Sequence, residues 1–212
     1  MALFRKPCRR NEDDALRGAP PRYGRRMSTN DARSSQPDPD AVVEKALEPL
    51  AAPVRGAVIT VSDRCASGER EDLSGPLAQR LLGEHGVVVD SVRIVPDGDA
   101  VTAAIREAIA DGARVVLTTG GTGVTPRDLT PEATAPLLET RLEGIEAQIR
   151  AYGLTKTPLS SLSRGLVGVT GRGADGALVV NAPGSRGGVK DTVAVIGPLV
   201  PHVLEQLGGG DH

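Results

Sequence analysis

The sequence predicts an α/β domain of three layers, a mostly parallel sheet with helices on both faces. Three observations carry that reading. From Arg55 onward, short β-branched runs alternate with amphipathic ones; turn residues bound each run; and the apolar runs are continuous rather than alternating, as strands buried on both faces require. Hydrophobic residues make up 39% of the 212, but aromatics only 1% with no Trp, so Val, Leu, Ile and Ala must fill the core. A chain of this length suits one domain of roughly 100–200 residues.

The elements follow in order. The N-terminal stretch "RRNEDDALRGAPPRYGRRMSTNDARSSQPDPD" is rich in Arg, Asp, Pro, Ser and Gly and poor in large apolar side chains. It cannot bury enough surface to offset the entropy of ordering, so residues 1–50 are predicted to be a disordered extension. Within it, "DAVVEKALEPL" (Asp40–Leu50) can form a short helix that docks weakly or not at all. Acidic residues interrupt the basic cluster of this tail, which favours a solvated segment over a nucleic-acid or partner-binding arm. The folded domain is predicted over 54–208. There, "GAVITVS" (Gly56–Ser62), "VVVDSVRIV" (Val87–Val95) and "ARVVLTT" (Ala113–Thr119) read as buried strands. Between them, "SGPLAQRLLGEHG" has Ser74 as N-cap and Gly86 as stop, and "DAVTAAIREAIADG" has Asp99 and Gly112 in the same roles. Further on, Leu166–Thr170 and Leu178–Asn181 read as strands, the second followed by a Pro-Gly-Ser turn and a helix opening near Gly188.

A βαβαβ pattern makes a parallel sheet with right-handed crossovers, and its ligands bind outside the carboxyl ends of the strands. Three loops are singled out: Ser62–Gly75, Pro96–Asp99, and the "GGTGVTPRDLTPE" loop that follows Thr119. In the last, Gly120, Gly121 and Gly123 let the backbone approach a ligand and turn successive N–H groups toward phosphate oxygens, while Thr119 and Thr122 add hydroxyl donors. Arg127 suits an anion, and Thr130 is placed to cap a helix opening at Pro131. Asp128 reads either as a metal-holding carboxylate or as a brace for its own turn. Asp97 in the second loop adds a carboxylate at the same sheet edge, and Mg²⁺ in phosphoryl chemistry is held by one or two carboxylates plus substrate oxygens. Asp63 after Ser62 is a third candidate or an Asx turn. Pro183, Gly184 and Ser185 form a fourth loop at a helix N-terminus, another anion site, and Ser163 lies in a hydroxyl-rich segment suited to a polar ring or to capping.

Composition excludes several classes. A net charge of −2 with interspersed signs offers no field for nucleic acid or a membrane surface, and the scarcity of aromatics removes base-stacking platforms. Two cysteines, Cys8 and Cys65, make neither a disulfide framework nor a zinc site, and Cys65 has no evident base, so it reads as structural. No apolar run approaches the roughly 20 residues of a membrane span, and a cytoplasmic location is expected.

The set "ITVSDRCASGEREDLSGP", "VPDGD", "TTGGTGVTPRDLTPEAT", "LSRGLVGVTG" and "VVNAPGSRGGV", in this order, closely resembles the molybdenum-cofactor biosynthesis family, specifically its Mog-type molybdopterin adenylyltransferases. The similarity covers Gly56 to about Leu207, and Gly120–Glu132 is its most specific piece. The resemblance implies a compact Rossmann-like domain, a homotrimer or higher homo-oligomer, that binds molybdopterin and Mg-ATP and transfers AMP to the pterin's terminal phosphate, releasing pyrophosphate. It implies catalytic and Mg²⁺-holding roles for Asp97 and Asp128, a substrate loop at Gly120–Gly123, and contact with other enzymes of the same biosynthesis. The sequence departs from its relatives at "NAPGSRGG", where they carry a large apolar residue in place of Ala182 and a proline soon after the turn; that touches the pterin pocket rather than the reaction class. Two alternatives stand beside this reading. One is a non-catalytic pterin-binding carrier, against which both aspartates argue; the other is nucleotide chemistry of the competence-damage-inducible type, whose second domain has no counterpart here.

Overall fold

The computed structural model describes residues 50–210. The extension expected over 1–50 lies outside the described residues except for Leu50, which packs against the main core cluster. One sheet of seven strands organises the rest: β1 (Val54–Val61), β2 (Val87–Val88), β3 (Val92–Val95), β4 (Val115–Thr119), β5 (Thr140–Arg141), β6 (Val167–Val169) and β7 (Leu178–Ala182). Across the sheet the order is β2, β1, β4, β7, β6, β5, with β3 also on β1. Strands β2, β3 and β4 run parallel to β1, and β7 parallel to β4, while β6 and β5 add an antiparallel edge.

Successive residues of a strand face opposite sides, and the sheet uses both. The one-turn helix α1 (Asp63–Ala66) follows β1. Val58, Leu117 and Val180 meet Leu82 of α2 (Gly75–Gly83), Ile149 of α5 (Glu143–Leu154), Val193 of α6 (Arg186–Ile196) and Leu207 of α7 (Val200–Leu207). Their neighbours Ile59, Val116 and Val179 meet Val101, Ala104 and Ile105 of α3 (Asp99–Ala110). Burying one such aliphatic side chain is worth about 1.5–3 kcal/mol, so two aliphatic clusters hold the three layers together without aromatics. The expected architecture is therefore the observed one; α3 stops at Gly112 (φ 91°) as its position suggests, whereas α2 already ends at Gly83 with Glu84 as its cap, and Gly86 (φ 78°) follows in the turn beyond it.

Several local expectations are corrected. The strand read over Val87–Val95 is broken: from the pair Arg55 and Val88 to the pair Val58 and Val92, β1 advances three residues and its neighbour four. That is a one-residue bulge, with Val89 turned into the core and its carbonyl accepting from Gln79 Nε2 at 2.7 Å. Ser74 does not cap α2, because its own backbone is already helical (φ −89°, ψ −43°). Asp72 does the capping: its Oδ1 accepts from Ser74 N (2.9 Å), Ser74 Oγ (2.9 Å) and Gly75 N (3.0 Å). Asp99 is likewise the first helical residue of α3 rather than its cap, which is Gly98. Thr130 opens the short helix α4 (Thr130–Thr134) instead of capping it, and its hydroxyl is buried without a partner. Pro136 then turns the chain into a 3-10 segment (Ala135–Leu137) that leads to the edge strand β5 and to α5, neither of which had a distinct sequence signal.

Candidate active site

The carboxyl ends of β1, β3, β4 and β7 deliver their loops to one cleft of ≈ 1000 Å³. Every residue singled out by the sequence lies on its lining: Ser62, Asp63, Asp97, Thr119, Gly120, Gly121, Thr122, Gly123, Arg127, Asp128, Ser163, Pro183, Gly184 and Ser185. The strands' parallel registers explain the convergence, since Thr60 pairs with Thr119 and Thr119 with Ala182, so three chains leave the sheet at the same level.

The glycines of the third loop are demanded by space. Gly120 has φ 114°, and a Cβ there would run into the carbonyl oxygen of Val61; Gly121 has φ 62°, and a Cβ there would meet Asp97 Oδ2 and Thr130 Oγ1. Gly120 N donates to Ala182 O (3.0 Å), whereas the N–H groups of Gly121, Thr122 and Gly123 have no partner among the described residues. Such a run of unpaired donors is the arrangement that anion-binding concavities use. Across the cleft, α6 opens with Ser185 as its cap, Oγ accepting from Gly188 N at 3.0 Å, which leaves first-turn N–H groups at the lining residues Arg186 and Gly187.

Asp97 and Asp128 each use one carboxylate oxygen on the protein. Asp97 Oδ1 accepts from Gly98 N (2.8 Å) and Leu129 N (3.1 Å), and Asp128 Oδ2 accepts from Thr125 N (2.9 Å) and Thr125 Oγ1 (2.6 Å). Their other oxygens, Asp97 Oδ2 and Asp128 Oδ1, take no hydrogen bond from the described residues. The brace reading of Asp128 thus accounts for one oxygen, and the other is left without a hydrogen bond from the described residues. Burial raises the Asp97 carboxyl above the usual carboxylate range, and the negative charges of Asp128 and Asp63 add to this against the opposing N–H groups of Gly98 and Leu129. A site that makes its own carboxylate costly to ionise is one that a cation would stabilise.

The remaining expected residues divide by what their polar atoms already do. Asp63 accepts from Asp97 N (3.2 Å) and pairs with Arg127, whose side chain is 73% exposed, so that pair contributes little to stability. Thr119 is corrected as a ligand donor: its hydroxyl donates to Pro183 O at 3.0 Å, and the residue is 1% exposed. Thr122 makes no such bond and keeps its hydroxyl available. Ser62 Oγ accepts from Cys65 N (3.3 Å) and Ser163 Oγ from Gly165 N (3.4 Å), so both brace their loops while lining the cleft.

Sequence reasoning missed several lining or supporting residues. Arg64, Arg70 and Arg186 line the cleft and make no ion pair among the described residues, so three guanidinium groups stand ready for an anion in a lining whose basic and acidic side chains balance in number. Lys156 pairs with the buried Asp191 and lies over the Tyr152 ring at 4.3 Å. Asn181, below the glycine loop, donates to Thr118 Oγ1 and Thr134 Oγ1, both at 3.0 Å. Asp72 had a legible signal, an Asx residue just ahead of Ser-Gly-Pro, but the cap was read two residues late. Lys156 and Asn181 have partners far away in sequence, and the three arginines carry no local signature. Among the described residues no histidine lines the cleft, and Cys65 is part of the lining.

Comparison with known proteins agrees with this geometry. The family described as "Probable molybdopterin binding domain" matches residues 57–202. A protein of Pyrococcus furiosus named molybdopterin adenylyltransferase is 43% identical over 151 residues, 70% of this chain and 88% of its own length. A molybdenum cofactor biosynthesis bifunctional protein of Synechococcus elongatus is 42% identical over 75% of this chain, and the chain spans only 49% of that longer relative. Among solved structures, a putative molybdenum cofactor biosynthesis protein from Corynebacterium diphtheriae superimposes with a TM-score of 0.67 at 46% identity, covering 73% of this chain and 98% of that one. From the extent of these matches and from the mostly parallel sheet they share, the chain belongs to the family of probable molybdopterin binding domains.

Proposed function

We propose that the chain is a molybdopterin adenylyltransferase, which transfers AMP from Mg-ATP to the terminal phosphate of molybdopterin and releases pyrophosphate. One observation carries the reading: unengaged oxygens of Asp97 and Asp128 and a run of unpaired backbone N–H groups face a single cleft of ≈ 1000 Å³, room for two substrates. The name of the Pyrococcus furiosus relative points the same way.

In this reading an oxygen of the pterin phosphate attacks the α-phosphorus of ATP, the new P–O bond forms as the α–β bridge breaks, and the electron pair leaves with pyrophosphate. A phosphate monoester has its second pKa near 6, so at neutral pH the attacking oxygen needs no base. The absence of histidine from the cleft lining therefore poses no difficulty. What the chain must supply is position and charge neutralisation. Asp97 Oδ2 and Asp128 Oδ1 would hold Mg²⁺, and the raised Asp97 carboxyl fits a site completed by a cation. When bound, the ion would offset charge on the triphosphate. The N–H groups of Gly121, Thr122 and Gly123 would receive phosphate oxygens, Arg127 would exchange Asp63 for an anion, and Arg64, Arg70 and Arg186 would draw both anionic substrates in. Molybdopterin, ATP and Mg²⁺ are then the small-molecule partners. We also assign the chain to a cytoplasmic homotrimer that meets other enzymes of cofactor biosynthesis; among the described residues no helix is long and apolar enough to cross a membrane.

The carrier reading draws on the braced oxygen of Asp128, which shows that this side chain has a structural task as well. Incubating the protein with molybdopterin, ATP and Mg²⁺ and analysing the products separates the two. Adenylylated pterin and pyrophosphate in equal amounts are expected; tight pterin binding with no AMP transfer would leave the carrier.

A further inference from the structure

Arg164 is heavily engaged beside the cleft, yet it is absent from the lining. It follows Ser163 on the opposite wall and reaches back across to the glycine loop. Its backbone N–H donates to Thr122 O (2.9 Å), its Nε to Gly123 O (2.6 Å), its Nη2 to Asp128 O (2.6 Å), and its Nη1 pairs with Glu132. The guanidinium thus grips both ends of the segment Gly123–Asp128 and the first turn of α4. Inside that segment the hydrogen bonds are few: Asp128 N to Thr125 O (3.0 Å), and the two bonds from Thr125 to Asp128 Oδ2. Val124 is 67% exposed, so packing does not hold the segment either.

We propose that Arg164 is a positioning residue for the transfer reaction, one that never touches substrate but fixes the Gly123–Asp128 loop so that Asp128 Oδ1 and the loop's N–H groups keep one geometry toward the cleft. The idea rests on the adenylyl-transfer reading for its kinetic consequence, though not for its structural one. An arginine is required because three acceptors lie in three directions; a planar fork serves them together, whereas an ammonium group on a flexible stem serves one at a time. Charged donors to neutral carbonyls make strong bonds, and groups that orient ligating residues cost about 10- to 100-fold in activity when removed. The pair with Glu132 is the outer part of the arrangement: that carboxylate is 53% exposed and orients the guanidinium without reaching the loop's carbonyls.

The test compares Arg164→Gln, Arg164→Lys and Glu132→Gln by melting temperature, by amide hydrogen exchange of residues 121–130 in the ligand-free protein, and by single-turnover AMP transfer at saturating ATP and pterin. Both Arg164 variants are expected to stay folded, to exchange amides of that segment faster than wild type, and to transfer AMP about 10- to 100-fold more slowly, with Lys no better than a partial rescue. Glu132→Gln, which leaves the carbonyl contacts intact, should keep transfer within about threefold of wild type. Unchanged exchange protection in both Arg164 variants overturns the proposal, as does a Glu132→Gln variant as impaired as Arg164→Gln. If wild type transfers no AMP while the exchange results hold, the reaction assignment fails and the loop-holding role stands.

Discussion

Replacing Asp128 by Asn separates the two tasks that its carboxylate performs. The bracing oxygen accepts from Thr125 N at 2.9 Å and Thr125 Oγ1 at 2.6 Å, and an amide oxygen in the same place accepts both. What is lost there is charge assistance, about half the strength of such bonds, so the fold should lose at most about 1 kcal/mol. The other oxygen takes no bond from the chain, and the substitution puts an NH₂ group in its place, which repels rather than ligates a cation. If that oxygen organises Mg²⁺ and the triphosphate, turnover should fall about 10²–10³-fold, roughly 2.7–4 kcal/mol, by analogy with the loss of one transition-state contact. A second readout checks the electrostatics: Asp128 is one of the two charges that push up the Asp97 carboxyl, so the variant's Asp97 should titrate lower, measurable by carbon-13 NMR. Single-turnover transfer, thermal melts and that titration are made on the one protein. A normal transfer rate in Asp128→Asn would refute the catalytic assignment, leaving the carboxylate as a turn brace only.

Four further outcomes are expected. Asp97 has a folded-state pKa raised first by burial and then by Asp128 and Asp63, so its contribution to stability is most favourable below the ordinary carboxylate value and declines as pH rises through the raised one. Asp97→Asn should remove that decline and, allowing for solvent screening, gain a few tenths of a kcal/mol at neutral pH while abolishing transfer; urea unfolding at acidic and neutral pH tests the sign. Asp72 behaves oppositely: burial would raise it, but N–H and hydroxyl donors from Gly75, Thr60 and Ser74 outweigh burial and hold it below its ordinary value. Its stabilisation is present above the ordinary carboxylate pKa and lost as pH falls through the depressed one, so Asp72→Ala should cost about 1–2 kcal/mol at neutral pH and flatten the acid limb of the stability curve. Gly120→Ala combines φ 114° with a clash on the Val61 carbonyl and should destabilise by about 3 kcal/mol or more, whereas Gly83→Ala, with open space around it, should be tolerated, as paired thermal melts would reveal. Light scattering should find the trimer that the family resemblance implies, with Tyr152 and Leu154, whose apolar side chains are exposed outside the cleft lining, as candidates for burial in it; a monomer at micromolar concentration would refute this.

The layers and the place of the site were readable from the sequence because both follow from short-range rules. Val, Ile and Leu runs such as Val115–Thr119 bury both faces and so declare a parallel strand, Gly112 marks a helix end by its backbone freedom, and the loops that carry Asp97, Gly120 and Asp128 lie where the carboxyl ends of parallel strands must put them. The resemblance to a known family rested on those same loops, and the family match spans them.

Only the tertiary structure decided which atoms remain for chemistry. The break at Val89 exists because β1 and its neighbour advance by different numbers of residues, which no periodicity within either strand records. Asp72, rather than Ser74, caps α2 because Thr60 of β1 comes near enough to donate to its second oxygen at 2.6 Å. Thr119 spends its hydroxyl on Pro183, a residue brought beside it by the pairing of β4 with β7. Arg164 is the extreme case. The atoms it seeks on Gly123 and Asp128 are backbone carbonyls, which every residue has, so no residue type or spacing could announce the contact. A sequence specifies where side chains of a given chemistry are carried; which of their donors and acceptors are consumed by the fold, and which are left facing a ligand, is settled by distances between segments that meet only when the chain has folded.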